Sequence, residues 1–275
     1  METILFVVTS IAVTTLGTLV GVGGGFIFVP LMILLLPDRS PAAITFLSLV
    51  MVMFNAWSAS WRYTRMRRVD VRTAWIFGAA TVIPAIAGVF LVARMRMDRY
   101  APIFGALLII AAGLLIYRRV APAAAVKSGD PQAAGLTHRH FTDVDGVTHD
   151  YAFNMPLGTA LSCGVGFISS FFGVGGGIIH VPLMTQVLRF PVYVATATSM
   201  FVLAISATVG VATHVLHGDR TVTLATAAAV GVGGLIGGQI GALLSRKVKA
   251  NTILYILAGA MALVGVRLVA KAFTS

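Results

Sequence analysis

Gly21-Val22-Gly23-Gly24-Gly25-Phe26-Ile27-Phe28-Val29-Pro30-Leu31-Met32 is repeated in this chain as Gly173-Val174-Gly175-Gly176-Gly177-Ile178-Ile179-His180-Val181-Pro182-Leu183-Met184. Ten of the twelve positions are identical, and the copies start 152 residues apart. Each copy interrupts a long apolar stretch with four glycines in five residues. Within a bilayer, a broken helix exposes backbone N–H and C=O groups that lipid cannot satisfy. Such backbone persists only where protein buries it or a cavity lies beside it. Matching interruptions in two halves of a membrane chain point to a transporter's binding site.

The composition fixes the class. Of 275 residues, 58% are hydrophobic and 11% charged, and the mean hydropathy is +0.94. Soluble domains carry about 25% charged residues. Most apolar runs reach or approach the ~20 residues that cross a bilayer, so the chain reads as an all-α polytopic membrane protein. A membrane β-barrel needs period-two alternation, which these continuous runs lack. The net charge of +11 resides largely in short inter-span loops, where the positive-inside rule accounts for it without nucleic acid. It would also attract an anionic substrate. The single cysteine, Cys163, excludes an internal disulfide and cysteine-based metal sites. The start, Met1-Glu2-Thr3-Ile4, lacks a basic n-region, so residues 3–20 read as a retained first span.

The organisation is two repeats around a polar insert. Residues 1–119 form an N-terminal transmembrane repeat, 120–153 a polar linker with a possible β-hairpin about Asp145-Gly146, and 154–275 a C-terminal repeat. Further spans are expected at 42–61, 73–93, 100–117, 154–172, 192–213, 221–244 and 252–270. The pieces after the glycine runs, Phe26–Leu36 and Ile178–Leu188, hold eleven residues each. At 1.5 Å per residue they cover about half of a ~30 Å core, which places the glycine runs at depth. Each half then has a glycine-broken helix pair plus three spans. Five elements is an odd number, which predicts an inverted repeat. Lys and Arg counts on the two faces do not separate inverted from parallel halves. Both arrangements put the Arg62–Arg72 loop, with its five arginines, in the cytoplasm. Trp57, Trp61 and Trp75 flank that loop as an interfacial belt would.

Several residue groups could bind an anion. Gly21, Gly23, Gly24, Gly25 and their counterparts Gly173, Gly175, Gly176, Gly177 let a ligand approach the main chain. The helices that follow begin with free N–H groups and a partial positive end. The bland alternative is GxxxG packing. Thr45 and Ser48 fall opposite Thr196 and Ser199, each pair three residues apart on one helix face. These hydroxyls either donate to an oxyanion or bond carbonyls of helices. His180 replaces Phe28 of the first copy; it could hold an anion or shuttle a proton, or be a satisfied structural residue. His214 and His217 look interfacial, and Gly231–Gly241 reads as helix packing. His138, His140, His149, Asp143 and Asp145 match no metal spacing and read as a solvated face. All nine acids fall in loops or at span ends, so no intramembrane carboxylate marks a cation path. No nucleophile–base pair or cofactor motif is present, so neither an enzyme nor a cofactor is expected.

The doubled Gly-x-Gly-Gly-Gly-(x3)-Val-Pro-Leu motif, each copy followed by a Thr/Ser-bearing span, resembles the TauE/SafE sulfite exporter family. The resemblance covers Thr3 to about Ala270. It implies a duplicated secondary transporter in the bacterial inner membrane. It also implies a small sulfur-containing oxyanion as substrate, sulfite or an organosulfonate, moved outward by alternating access. Under it, both glycine runs with Thr45, Ser48, Thr196 and Ser199 sit near the translocation site. A passive anion channel is the alternative. Proton coupling and oligomeric state stay open.

Overall fold

The computed structural model describes residues 2–20, 23–36, 38–120, 135–217, 222–244, 259 and 261–270. In chain order the elements are α1 (Glu2–Val20), α2 (Gly25–Leu35), α3 (Pro41–Arg65), α4 (Val71–Ala93), α5 (Met97–Val120), β1 (Thr137–Thr142) and β2 (Thr148–Phe153). There follow α6 (Met155–Phe172), α7 (Gly177–Pro182) with a π-helical continuation (Leu183–Val187), α8 (Val192–His217), α9 (Leu224–Leu244) and α10 (Met261–Ala270). Among the described residues, α3, α4, α6, α8 and α9 are long and apolar enough to cross a membrane. The expected span at 252–270 is described only at 259 and 261–270.

Polar residues start the spans where the apolar runs begin. The Ser40 hydroxyl accepts from Ala43 N (3.2 Å) ahead of Pro41. Asp70 accepts from Thr73 N (3.1 Å), and Asn154 from Leu157 N (2.9 Å). Each satisfies an amide that the first helical turn leaves free.

The helices pack mostly across the two halves. α1 lies on α9 and α6 on α4, while α3 contacts α8 and α9, and α4 contacts α8. Exchanging each element for its counterpart in the other half maps this set of contacts onto itself. α3 and α8 run antiparallel: Phe46 stacks near His214 (5.6 Å), the Trp57 indole N–H donates to Thr208 (2.9 Å), and the Asp70 amide donates to Thr198 (3.1 Å). His214 is therefore buried in the bundle, not interfacial as the sequence reading had it. α9 runs in the same direction as α3, with Gln239 donating to Ser58 O (3.0 Å). The α9 glycines bring backbones together. A Cβ on Gly233 would lie 2.5 Å from Ser10 Cβ, on Gly241 2.7 Å from Thr15 O, and on Gly238 2.7 Å from Asn55 Oδ1. Small residues at this spacing are the usual device for close helix contact in membranes.

Within the insert, residues 137–153 form an antiparallel hairpin, with Thr137 opposite Phe153 and Thr142 opposite Thr148. It docks on the α3–α4 loop. Val144 N donates to Met66 O (3.2 Å), Arg139 Nε pairs with Asp70 (3.0 Å), and the Tyr151 hydroxyl donates to Asp70 (3.0 Å). Arg68 bridges Asp143 (3.4 Å) and Asp145 (2.7 Å). Phe153 and Tyr151 pack on Phe190, with ring centroids 4.5 and 4.7 Å apart. The solvated-face reading is corrected here. Asp143 and His149 are buried and face each other at 3.2 Å, while His138 and His140 are exposed. The reason is local: Asp143 Oδ1 accepts the amides of Asp145 and Val147 and so builds the turn. Burial works to raise the Asp143 pKa. The Val147 amide, His149, the Asp145 amide and the Arg68 charge outweigh it and hold the carboxyl below its ordinary value. Burial, with Asp70 alongside, pushes the Tyr151 phenol up.

Candidate functional site

Glycine is required by conformation in the second run. Gly173 (φ 68°), Gly175 (φ 77°) and Gly176 (φ 58°) are left-handed, which lets α6 stop and α7 start within four residues. In the first run Gly23 (φ 76°) does the same, and Gly21 lies outside the described residues. The two runs meet. A Cβ on Gly25 would sit 2.5 Å from Gly173 O and 2.9 Å from Val174 Cα. Leu203 of α8 abuts both runs, 3.2 Å from a Cβ on Gly23 and 3.3 Å from one on Gly175. Gly24 packs on Thr14 of α1.

Thr45 and Ser48 of α3 reach this region but build its frame. Ser48 Oγ donates to Gly173 O (2.6 Å). The Tyr100 hydroxyl of α5 donates to Phe172 O (3.0 Å) and meets Thr45 Oγ1 (3.3 Å). Two buried hydroxyls thus bond carbonyls at the end of α6, which lack helical partners, and Thr45 braces one of them. Thr196 is half-buried on α8.

A small cavity lies beside the second run. Its wall includes Gly175, Gly176 and Gly177, Ser169 of α6, His180 of α7, Ser199 and Ser206 of α8, and Thr81 of α4. Its volume is about 10 Å³, the space of one water probe. Ser169, Ser199 and Ser206 are each no more than 2% exposed, and among the described residues their hydroxyls find no hydrogen-bond partner. Thr81 differs, since its hydroxyl donates to Gly78 O (2.6 Å). His180 is buried, edge-on to Phe77 (6.0 Å), with Nε2 3.1 Å from Ser162 Oγ. Ser162 also donates to Gly158 O (2.8 Å). With its one proton placed there, Ser162 accepts from His180, and Nε2 carries the ring proton.

Among the sequence-proposed residues, the structure brings Gly175, Gly176, Gly177, His180 and Ser199 to one cavity. The residues that sequence reasoning missed are Ser169, Ser206 and Thr81. A weak signal existed for two of them: Ser206 lies seven residues after Ser199, and Ser169 seven after Ser162, each on a shared helix face. Thr81 belongs to the other half and carried no such signal. The first half differs at the matching register. Phe28 stands for His180 and is fully buried, and Asn55 stands for Ser206 and accepts from Thr18 Oγ1 (2.7 Å). The short helices differ too. α2 stays α-helical to Leu35, whereas Leu188 N donates to Leu183 O (3.1 Å) in a π-turn. Thr185, in the place of Ile33, bonds Val181 O (3.0 Å) and competes with the helical ladder there.

Bilayer-length apolar helices packed around two broken helices whose glycine runs meet, with a buried cavity beside the second run, are the architecture of a polytopic membrane transporter. The family model described as "Sulfite exporter TauE/SafE" matches residues 5–268. The chain belongs to that family, whose members are integral membrane transporters and not enzymes. It is 30% identical to the "Probable membrane transporter protein YunE" of Bacillus subtilis, over 98% of both chains. It is 26% identical to a "Probable membrane transporter protein" of Xylella fastidiosa, over 85% of this chain and 81% of that one. A "Probable membrane transporter protein" of Methanocaldococcus jannaschii is 25% identical over 76% of this chain and 71% of that one. No solved structure matches.

Proposed function

We propose that this protein is a secondary transporter that exports a small sulfur-containing oxyanion, sulfite or an organosulfonate, by alternating access. The observation that carries this reading is the set of three buried, unbonded hydroxyls around the cavity at the second glycine run. A buried hydroxyl without a partner is costly. An oxyanion accepts from all three at once, with the glycine backbone close enough to contribute. Gly175, Gly176, Gly177, Ser199 and His180 would touch the anion. Gly23, Gly24, Gly25, Thr45 and Ser48 would set the run that faces it, and Thr196 would lie on the approach along α8. The family description names sulfite, which agrees with this chemistry.

Two halves inverted in the membrane, with the repeats at 1–119 and 154–275, fit the packing. Counterparts α3 and α8 run antiparallel, and α9, the counterpart of α4, runs with α3. The cavity holds about 10 Å³, less than an oxyanion fills, so loading one requires this space to widen, as rocking of one half against the other would do. In a bacterial inner membrane the arginine-rich α3–α4 loop and its hairpin would face the cytoplasm. His180 would be the group to carry a proton if transport is proton-linked.

The test is sulfite flux into liposomes that contain purified protein. Saturable flux is expected. Replacing Ser199 and Ser206 together with Ala should lower it at least about tenfold, since each hydrogen bond to a charged group is worth about 1.5–3 kcal/mol. Unchanged flux in the folded double variant would sink the site assignment. Flux linear in sulfite concentration would instead indicate a passive channel.

A further inference from the structure

We infer that the cavity selects monovalent oxyanions, hydrogensulfite or a sulfonate, over dianions such as sulfate and fully deprotonated sulfite, and that Ser169 and Ser206 join Ser199 in setting this selectivity. The inference rests on the transport reading above and names the charge state of its substrate.

The donor set is neutral. The wall residues are serine, threonine, glycine, histidine and aliphatic side chains, and among the described residues no lysine or arginine lines the cavity. Among the described residues His180 is the one titratable group in the wall, and its Nε2 lies against a neutral hydroxyl, Ser162 (3.1 Å). No carboxylate stands in that wall to hold a proton on the ring. The cost of moving an ion from water into a low-dielectric site grows as the square of its charge. A dianion therefore pays about four times the penalty of a monoanion of the same size. Hydroxyl and amide dipoles return an energy only proportional to charge. Without a fixed cation, the monoanion wins.

The number of donors matches the ligand. Thr81 spends its proton on Gly78 O, so the free side-chain hydroxyl donors are those of Ser169, Ser199 and Ser206. An SO₃ group presents one oxygen to each. Ser169 comes from α6 and the other two from α8, so donors on separate elements converge on one small group.

The experiment is calorimetric titration of the purified protein in nanodiscs with sodium methanesulfonate, sodium sulfate and sodium sulfite at matched ionic strength. Methanesulfonate or sulfite should bind, and sulfate should bind at least about tenfold more weakly than the tighter of them. Affinity for total sulfite should fall as pH rises and hydrogensulfite is deprotonated. Ser169→Ala and Ser206→Ala should each weaken the tighter ligand by about tenfold while thermal unfolding stays unchanged. Sulfate binding within about threefold of the best monoanion, or sulfate gaining affinity at low pH in step with sulfite, would overturn the selectivity and leave an oxyanion site standing. Failure of all three anions to bind the folded protein would overturn the transport reading as well.

Discussion

Asp70 caps α4, binds Arg139 and Tyr151 of the hairpin, and donates its amide to Thr198 on α8. It sits 5% exposed, so its removal strands four donors in a buried place: the Thr73 amide and hydroxyl, Arg139 Nε and the Tyr151 hydroxyl. Asp70→Ala should therefore destabilise the protein by about 3 kcal/mol, the low end for breaking a buried pair because Arg139 retains some solvent. Thermal unfolding in detergent measures this, and an unchanged midpoint would contradict it. Gly176 makes a second case. At φ 58° with a Cβ position 2.8 Å from Val165 Cγ1, it admits no side chain without strain. Gly176→Ala should cost about 1–3 kcal/mol. Gly113→Ala is the control, since among the described residues nothing lies within 4 Å of its Cβ position, and it should be neutral or slightly stabilising. Conformation was legible in the sequence for Gly176, because glycine four times in five residues signals special backbone. The multiple bonding of Asp70 was not legible, because its partners lie 69 and 81 residues away.

At the scale of elements, the hairpin couples regions far apart in the chain. It binds the α3–α4 loop through Arg68, Met66 and Asp70, and the turn before α8 through Phe190. Its turn depends on an ionised Asp143, whose pKa is lowered in the fold. A carboxyl with a lowered pKa stabilises the folded state fully above its unfolded value of 3.8 and loses that contribution as pH falls through the folded value. Amide exchange over residues 137–153, corrected for intrinsic rates, should therefore rise below about pH 4. Asp143→Asn should remove that dependence. Exchange that ignores pH in the parent chain would count against the mechanism. The two strands around Asp145-Gly146 could be read from the sequence, since turn chemistry is local. Burial of Asp143 and His149 could not, because groups that pack on this turn, Arg68 and the Met66 carbonyl, come from the distant α3–α4 loop.

At the scale of the molecule, the contacts between halves are unchanged when the halves are exchanged, yet the two glycine runs are not equivalent. The second has a cavity, His180 and unbonded serines; the first has Phe28 and Asn55. One site on a pseudo-symmetric frame would let the frame rock while a single anion is handled. The inverted arrangement has a direct test in a Cys163→Ser background. Arg39→Cys and Arg189→Cys place thiols at matching turns of the two halves, both exposed. Impermeant maleimide should label one from outside the cell and the other only from the cytoplasm. Labelling of both from one side would refute inversion.

Membrane class, duplication and the interruption of two helices by glycine follow from the sequence by itself. They depend on run length, composition and short-range backbone freedom, and each of these is written in contiguous residues. Only the tertiary structure decided which hydroxyls face a cavity and which hold the backbone. Ser48 and Ser199 occupy the same place in the repeat, yet Ser48 donates to a carbonyl 125 residues away and Ser199 has no acceptor among the described residues. A hydroxyl's role is set by the partner that packing brings within reach, and that partner comes from the opposite half of the chain.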